Sequence, residues 1–217
     1  MRLVKRSIQW IIGIICGLFL SLQIAMYMPY IQEKVGSIVS SVLKETWDWD
    51  IKIDKVRIGL GNRIIIDGIE LKDKQDSTIV NASRLAAKID LMPLLEGRVS
   101  IANAQLFGTS INLYQQTPEE SPNFQFLIDT FSSNDTTSSP INLHIGSVVL
   151  RRVSINWNQQ WMPHKPEGTL DPAHLQLNNI ALTAHLRTLT SDSLNVAIKR
   201  LSFIEKSGFC IENISLE

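Results

Sequence analysis

Four histidines are the residues best suited to bind a metal ion: His144, His164, His174 and His185. Imidazole is a common ligand of zinc, and zinc sites usually place two of their ligands only a few residues apart in the chain. These histidines lie 20, 10 and 11 residues apart, and no cysteine is adjacent to any of them. The spacing therefore predicts ordinary strand and loop histidines and no metal site.

Catalytic signatures are absent as well. The sequence has no Gly-x-Ser-x-Gly elbow and no glycine-rich phosphate loop. Its carboxylates alternate with basic residues, as on a solvated sheet surface. The adjacent Arg151 and Arg152 could contact lipid headgroups, but a solvent-facing turn is the favoured interpretation. The sequence predicts neither an enzyme nor a cofactor.

The two cysteines predict no disulfide framework, because Cys16 lies in an apolar run and Cys210 near the other end of the chain. Each is interpreted as a small buried hydrophobe. A bacterial lipid-attachment cysteine follows a small residue, whereas bulky Ile15 precedes Cys16.

Charge and composition restrict the function classes further. Twenty-one basic and 21 acidic residues cancel, so no overall field indicates nucleic-acid binding. The hydrophobic fraction of 44% is ordinary for a globular protein and argues against disorder. The apolar residues are concentrated in the first thirty positions.

A membrane anchor is predicted at the N-terminus. A basic start, residues 1–7, precedes an uncharged apolar run at 8–28. About 20 apolar residues span a hydrocarbon core of about 30 Å, and positive charges stay on the cytoplasmic side. A cleaved signal peptide is the alternative, but Met26 to Pro29 has no small-x-small cleavage site. The candidate anchor residues are Ile8, Trp10, Gly13, Gly17, Leu20 and Tyr27.

An amphipathic helix is predicted at 29–46, because apolar residues recur at helical spacing after Pro29. We expect its apolar stripe to rest on the first strands of the body. The stripe consists of Ile31, Val35, Ile38, Val39, Val42 and Leu43.

The body, residues 47–217, is predicted to be β-sheet. Trp47 to Asp54 alternates strictly between apolar and charged residues, and the same alternation returns at 85–91 and 153–157. One apolar and one wet face are typical of antiparallel pairing. A short helix is predicted around 124–131, with Asn123 as its N-cap.

An internal repeat supports a strand-repeat architecture. Residues 101–116 align without gaps with 145–160, at an offset of 44, and seven positions are identical. The last predicted strand, 211–216, ends the sheet with an unpaired edge. We therefore expect either a fragment of a longer protein or a complete chain whose edge a partner covers.

The order of these motifs resembles the AsmA-like superfamily, and within it the N-terminal region of TamB-like (translocation and assembly module) proteins. The resemblance starts at the anchor and the following helix and covers roughly residues 1–160. It is most specific in the segments 51–58, 66–73, 89–91, 98–101 and 123–129. TamB-like proteins are far longer and end in a C-terminal domain that this chain lacks.

The resemblance implies a mainly β, curved and mostly antiparallel groove, held in the bacterial inner membrane by one helix with the bulk of the chain in the periplasm. It implies phospholipid transport to the outer membrane, with acyl chains in the groove and an outer-membrane β-barrel assembly protein as a possible partner. The alternative is a scaffold for outer-membrane protein assembly or secretion that acts through a sheet edge. Without the resemblance, a closed sandwich core is the favoured interpretation of the same apolar residues. The candidate lining residues are Trp47, Trp49, Ile51, Ile53, Leu85, Ala87, Ile89, Ile111, Leu113, Val153, Ile155 and Trp157.

Overall fold

The prediction of a mainly β protein is confirmed by the structure, a computed structural model that describes residues 14, 17, 18, 21, 28–59, 62–90, 92–93, 99–132, 143–189 and 194–216. These residues form two helices longer than one turn and one curved, open sheet. The helices are α1 (Pro29–Trp47) and α2 (Gln125–Ser132). The strands are β1 (Asp50–Gly59), β2 (Arg63–Lys72), β3 (Thr78–Ile89), β4 (Val99–Gln115), β5 (Leu143–Ile145), β6 (Ser147–Gln159), β7 (Gln176–Leu189), β8 (Leu194–Glu205) and β9 (Cys210–Leu216).

The predicted anchor falls mostly outside the described residues. Of its six candidate residues, only Gly17 is described, and it is helical; Ile8, Trp10, Gly13, Leu20 and Tyr27 are not described. Among the described residues, no helix is both long and apolar enough to cross a membrane.

The sheet has the strand order β1-β2-β3-β4-β6-β7-β8-β9, and the short β5 also pairs with β4. Most neighbours are antiparallel, as expected, but β4 pairs in parallel with both β5 and β6. Parallel neighbours need a crossover connection, and here the crossover carries α2.

The internal repeat is the register of this parallel pairing. Each paired residue of β4 lies beside the residue 44 positions later, from Val99 beside Leu143 to Gln115 beside Gln159. Identical side chains are therefore direct neighbours, for example Ile111 beside Ile155. The antiparallel arrangement that alternation suggested is wrong for this pair of strands. The hydrophobic period of a strand is the same in either orientation, so the pattern does not distinguish them.

Helix α1 lies along the outer edge of β1. A Cβ atom on Gly36 would come within 2.8 Å of the Ile53 carbonyl oxygen, and the Ile53 amide donates to Ser40 Oγ at 3.0 Å. An ion pair of 3.3 Å joins Lys55 and Glu33 nearby. The helix thus covers one edge of the sheet, which would otherwise be open to pairing with another chain.

The contact of α1 with the body was expected, but the side of the helix that makes it was not. Its two buried residues are Gln32 and Gly36, whereas Ile38 and Val42 of the predicted stripe are 54% and 52% exposed. Gly36 allows the close approach to the strand backbone, and the other four stripe residues, Ile31, Val35, Val39 and Leu43, are partly buried.

The prediction of a strand from Trp47 is wrong. Trp47 is the last residue of α1, and Asp48 takes a left-handed conformation (φ 56°) with its amide donating to the Lys44 carbonyl at 3.0 Å. This is a common way to end a helix. Strand β1 begins only at Asp50, so Trp47 and Trp49 contact one another, with ring centroids 5.0 Å apart, outside the sheet.

Five buried residues of the sheet form a row across its strands, which we call the buried row. Their exposed fractions are between 1% and 6%. From β3 to β7, each member of the row is the register partner of the next. The member on β1, Ile53, is linked to the member on β3, Ala82, through Ile69 of β2. Its members are Ile53, Ala82, Thr109, Val153 and Ile180.

Beside the buried row, several strands contain a residue with a left-handed backbone. These are Gly68, Gly108, Arg152 and Asn179, with φ between 53° and 64°. Gly108 and Arg152 occupy equivalent positions of the repeat. Left-handed residues within strands bend them. Because these lie at nearly the same level, the sheet is bent along a line that we call the crease.

Candidate functional site

A row of aliphatic side chains crosses eight of the nine strands, on the other side of the crease from the buried row. Each member is the register partner of the next, so eight strands contribute one residue each. Neighbouring partners on one face of a sheet contact each other. The members are Val56, Ile66, Leu85, Leu106, Leu150, Leu182, Leu201 and Ile214.

A second aliphatic row runs parallel to the first. In every contributing strand except β8, the residue of the second row lies two positions from the residue of the first row and therefore on the same face. In β8 the register shifts between the two rows. The members are Ile58, Ile64, Ala87, Ala104, Val148, Ala184, Ile198 and Leu216. We call the two rows together the aliphatic strip.

The aliphatic strip is neither a closed core nor fully exposed to solvent. Val56 is buried, whereas the other seven residues of the first row are partly exposed. Ile58 and Leu216, at the two ends of the second row, are 48% and 56% exposed. In the part of the chain that the structure describes, the strands make their extensive contacts with sheet neighbours, and α1 contacts β1. No second sheet packs on the strip in this part of the chain.

The opposite face is charged at the same level. Lys55, Asp67 and Arg84 are successive register partners there, followed by Phe107 and Arg151. Asp67 accepts bonds from Arg57 Nη2 at 2.5 Å and from Arg84 Nε at 2.6 Å. Burial opposes ionisation of Asp67, but hydrogen bonds from Arg84 and Arg57 lower its pKa below the ordinary 3.8. At this level the sheet thus has an aliphatic face and a largely charged face.

Asp67→Asn is expected to reduce the free energy of unfolding at pH 7 by about 1 kcal/mol, since the arginines are partly exposed. A carboxyl whose folded pKa is lowered stabilises the fold above its unfolded pKa, and this stabilisation is lost as pH falls through the folded pKa. Urea denaturation of both proteins at pH 7 and below pH 4 measures the difference, which should shrink in acid. Asp76→Asn is the control, because the Asp76 side chain is 79% exposed. Equal losses for both variants would contradict this role of Asp67.

One end of the sheet carries helix α2. Trp49 Nε1 donates to Thr130 Oγ1 at 3.4 Å, and the Phe124 and Trp157 rings meet edge to face at 6.2 Å. Trp49 precedes β1 and Trp157 lies on β6, with three strands between β1 and β6. A segment centred on an eight-residue helix therefore contacts both, as the curvature of the sheet allows.

The predicted helix at 124–131 is confirmed as Gln125–Ser132, but Asn123 does not cap it. Asn123 Oδ1 accepts from the Tyr114 amide at 3.0 Å, and its Nδ2 donates to the Asn112 carbonyl at 3.1 Å. The Asn123 amide also donates to the Tyr114 carbonyl at 2.9 Å. Asn123 thus acts as a substitute strand partner for the end of β4 and fixes the position of the helix.

The predicted lining residues separate into two groups. Leu85 and Ala87 belong to the aliphatic strip. A second group lies across the crease from it, towards α2: Ile51, Ile53, Ile111, Leu113, Val153, Ile155 and Trp157. Ile111 pairs with Ile155 and Leu113 with Trp157, whereas Val153 and Ile53 are buried. The remaining three belong to neither group: Ile89, the last residue of β3, pairs with Ile101, and Trp47 and Trp49 lie outside the sheet.

Most residues of the aliphatic strip were not predicted from the sequence. Leu106 and Leu150 are identical positions of the repeat, and this signal could have identified them as neighbours. Other members required the register between strands, which the sequence alone does not specify.

Two of the four histidines are brought together in the loop between β6 and β7. The rings of His164 and His174 lie 3.8 Å apart between centroids, and His174 Nδ1 lies 2.9 Å from Asp171 Oδ2. His185 is exposed on β7, and the side chain of His144 is outside the described part of the chain. The ligand atoms of His164, Asp171 and His174 all lie within 4.8 Å of one another.

Of the two cysteines, only Cys210 lies in the described part of the chain. Cys210 is exposed at the start of β9, so the interpretation as a buried hydrophobe is wrong for this residue. Cys16 is outside the described residues.

No family model and no curated protein matches the chain.

Proposed function

We propose that the chain is a membrane-anchored, periplasm-facing β-groove protein that carries phospholipid acyl chains along its aliphatic strip. The observation that carries this proposal is the partly exposed strip itself, to which eight strands contribute and over which no second sheet packs in the described residues. Contiguous apolar surfaces of this kind mark binding sites for apolar ligands, membranes or partner proteins. The AsmA-like resemblance and the predicted anchor at 8–28 point to lipid.

The dimensions of the strip suit an acyl chain. Seven inter-strand spacings of about 4.8 Å give a length of about 34 Å. One leaflet of a bilayer has a hydrocarbon depth of about 15 Å, half of the whole core. The strip therefore offers more than one chain length of continuous aliphatic surface. Each methylene removed from water contributes about 0.8 kcal/mol, so even partial cover of the chain is favourable.

The test is site-specific photo-crosslinking in cells that contain radiolabelled phospholipid. A photo-reactive residue is placed at Leu150 or Leu201, in the strip, and at Arg151 or Arg200 as controls. Each control is the adjacent residue of the same strand and is exposed, so the two positions of a pair face opposite sides of the sheet.

Lipid adducts at Leu150 and Leu201 but not at Arg151 and Arg200 are the expected result. Adducts of equal yield at all four positions would indicate contact with the membrane surface and contradict a groove. No adduct at any position, in an anchored and folded protein, would reject lipid carriage.

A scaffold for outer-membrane protein assembly is the second candidate, and the asymmetry of the two sheet edges favours it. Helix α1 covers β1, whereas β9 pairs only with β8 among the described residues. An uncovered strand can pair with an extended segment of another protein. Protein adducts confined to β9, without lipid adducts in the strip, would support this candidate.

A further inference from the structure

We infer that the loop between β6 and β7 binds a divalent transition-metal ion through His164, Asp171 and His174. The side chains of Asp171 and His174 are 13% and 8% exposed, while His164 lies nearer to solvent. The inference rests on this cluster alone and is independent of lipid carriage.

The backbone holds His174 in a fixed position. The Trp157 amide donates to the Leu175 carbonyl at 2.8 Å, and the Gln159 amide donates to the Ala173 carbonyl at 2.9 Å. These bonds continue the β6–β7 pairing beyond the start of β7, so His174 lies between two residues that are tied to β6. Its position does not depend on loop flexibility.

Asp171 is oriented by three contacts. Its Oδ2 accepts from the Lys165 amide at 3.0 Å and lies 2.9 Å from His174 Nδ1, and its Oδ1 accepts from the Ala173 amide at 3.2 Å. The Lys165 amide, with His174 and the Ala173 amide, lowers the pKa of Asp171 to about 2 despite the opposing effect of burial. These contacts hold the carboxylate beside both histidines.

The Lys165–Asp171 bond also closes the loop. It joins the segment that follows His164 to the segment that precedes His174 and so brings the two histidines together. A turn within the closed loop, in which the Thr169 amide donates to the Pro166 carbonyl at 3.2 Å, supports this arrangement. The Lys165 side chain bonds within the loop, since its Nζ donates to the Leu170 carbonyl at 3.4 Å.

The donor set determines the class of metal. Two imidazole nitrogens and one carboxylate oxygen suit zinc, cobalt, nickel or copper, whereas magnesium and calcium prefer oxygen ligands alone. Tetrahedral donors about 2.0–2.1 Å from zinc lie roughly 3.3 Å from one another. The three ligand atoms already lie within 4.8 Å of one another, so each pair is within about 1.5 Å of that spacing.

The experiment titrates Zn²⁺ and Co²⁺ into the metal-stripped full-length chain in detergent. Calorimetry measures the Zn²⁺ affinity and stoichiometry, and the visible absorption of Co²⁺ reports its coordination. The variants are His164→Gln and His174→Gln, and His185→Gln is the control because His185 is exposed outside the cluster. Far-UV circular dichroism verifies that each variant is folded.

We expect one equivalent of Zn²⁺ and a tetrahedral Co²⁺ spectrum. Each cluster variant should bind at least about tenfold more weakly, and His185→Gln should bind as the parent does. His164→Gln is the decisive variant, since the structure gives His164 only a ring contact and its loss should leave the fold intact. The inference is wrong if the parent does not bind Zn²⁺, or if folded His164→Gln binds it with unchanged affinity.

Discussion

Replacing Val153 by aspartate is expected to lower the free energy of unfolding by about 4 kcal/mol or more, enough to unfold much of the protein. Val153 is 1% exposed and lies between two other members of the buried row, Thr109 and Ile180. A carboxylate at this position finds no cationic register partner and loses its hydration. Urea denaturation of the full-length chain, followed by circular dichroism, measures the effect.

Val42→Asp is the matched control, because it makes the same chemical change at a residue that is 52% exposed on α1. We expect it to cost less than about 1 kcal/mol. Similar losses for the two variants would mean that the buried row is not the core of the sheet.

Gly68→Ala is expected to lower the free energy of unfolding by about 3 kcal/mol. Gly68 has φ +64°, a conformation that costs an alanine about 1–2 kcal/mol. An added Cβ would also collide with the side chain of Asp54, whose own Cβ would lie only 2.9 Å away. Overpacking of this kind costs a further 1–3 kcal/mol or so. The same urea measurement tests this prediction.

Two variants separate the backbone and contact contributions at Gly68. Gly168→Ala introduces a Cβ at φ +79° with nothing within 4 Å, so only the backbone cost of about 1–2 kcal/mol should remain. Adding Asp54→Ala to Gly68→Ala should recover part of the loss. If Gly68→Ala costs no more than Gly168→Ala, the side chain of Asp54 does not pack against the crease as described.

The sequence predicted the elements of the fold better than their arrangement. The β-rich body follows from alternation, and helices near 29–46 and 124–131 follow from periodicity. Local patterns failed where a tertiary contact replaced a local one. Asn123 has the residue type of a helix cap but bonds to β4, and α1 approaches β1 most closely at Gly36, which is not part of its apolar stripe.

The candidate sites depend on strand register and on tertiary hydrogen bonds. The aliphatic strip exists only because eight registers align, and a shift of one residue in any of them would move that strand's aliphatic side chains to the charged face. The histidine cluster depends on the bond that closes its loop, from the Lys165 amide to Asp171. The spacing of His164 and His174 alone resembles that of unrelated residues.

The sequence repeat has a spacing of 44 residues, and register partners in β4 and β6 are also 44 residues apart. This equality affects how such a protein can change in length. Beside β4, the partner of each residue is found 44 positions later, and the apolar positions of both strands coincide. An in-frame duplication of one 44-residue unit would supply a new strand whose side chains already face the correct side. The sheet and its aliphatic strip could then lengthen by copy number, without any new solution to the problem of strand register.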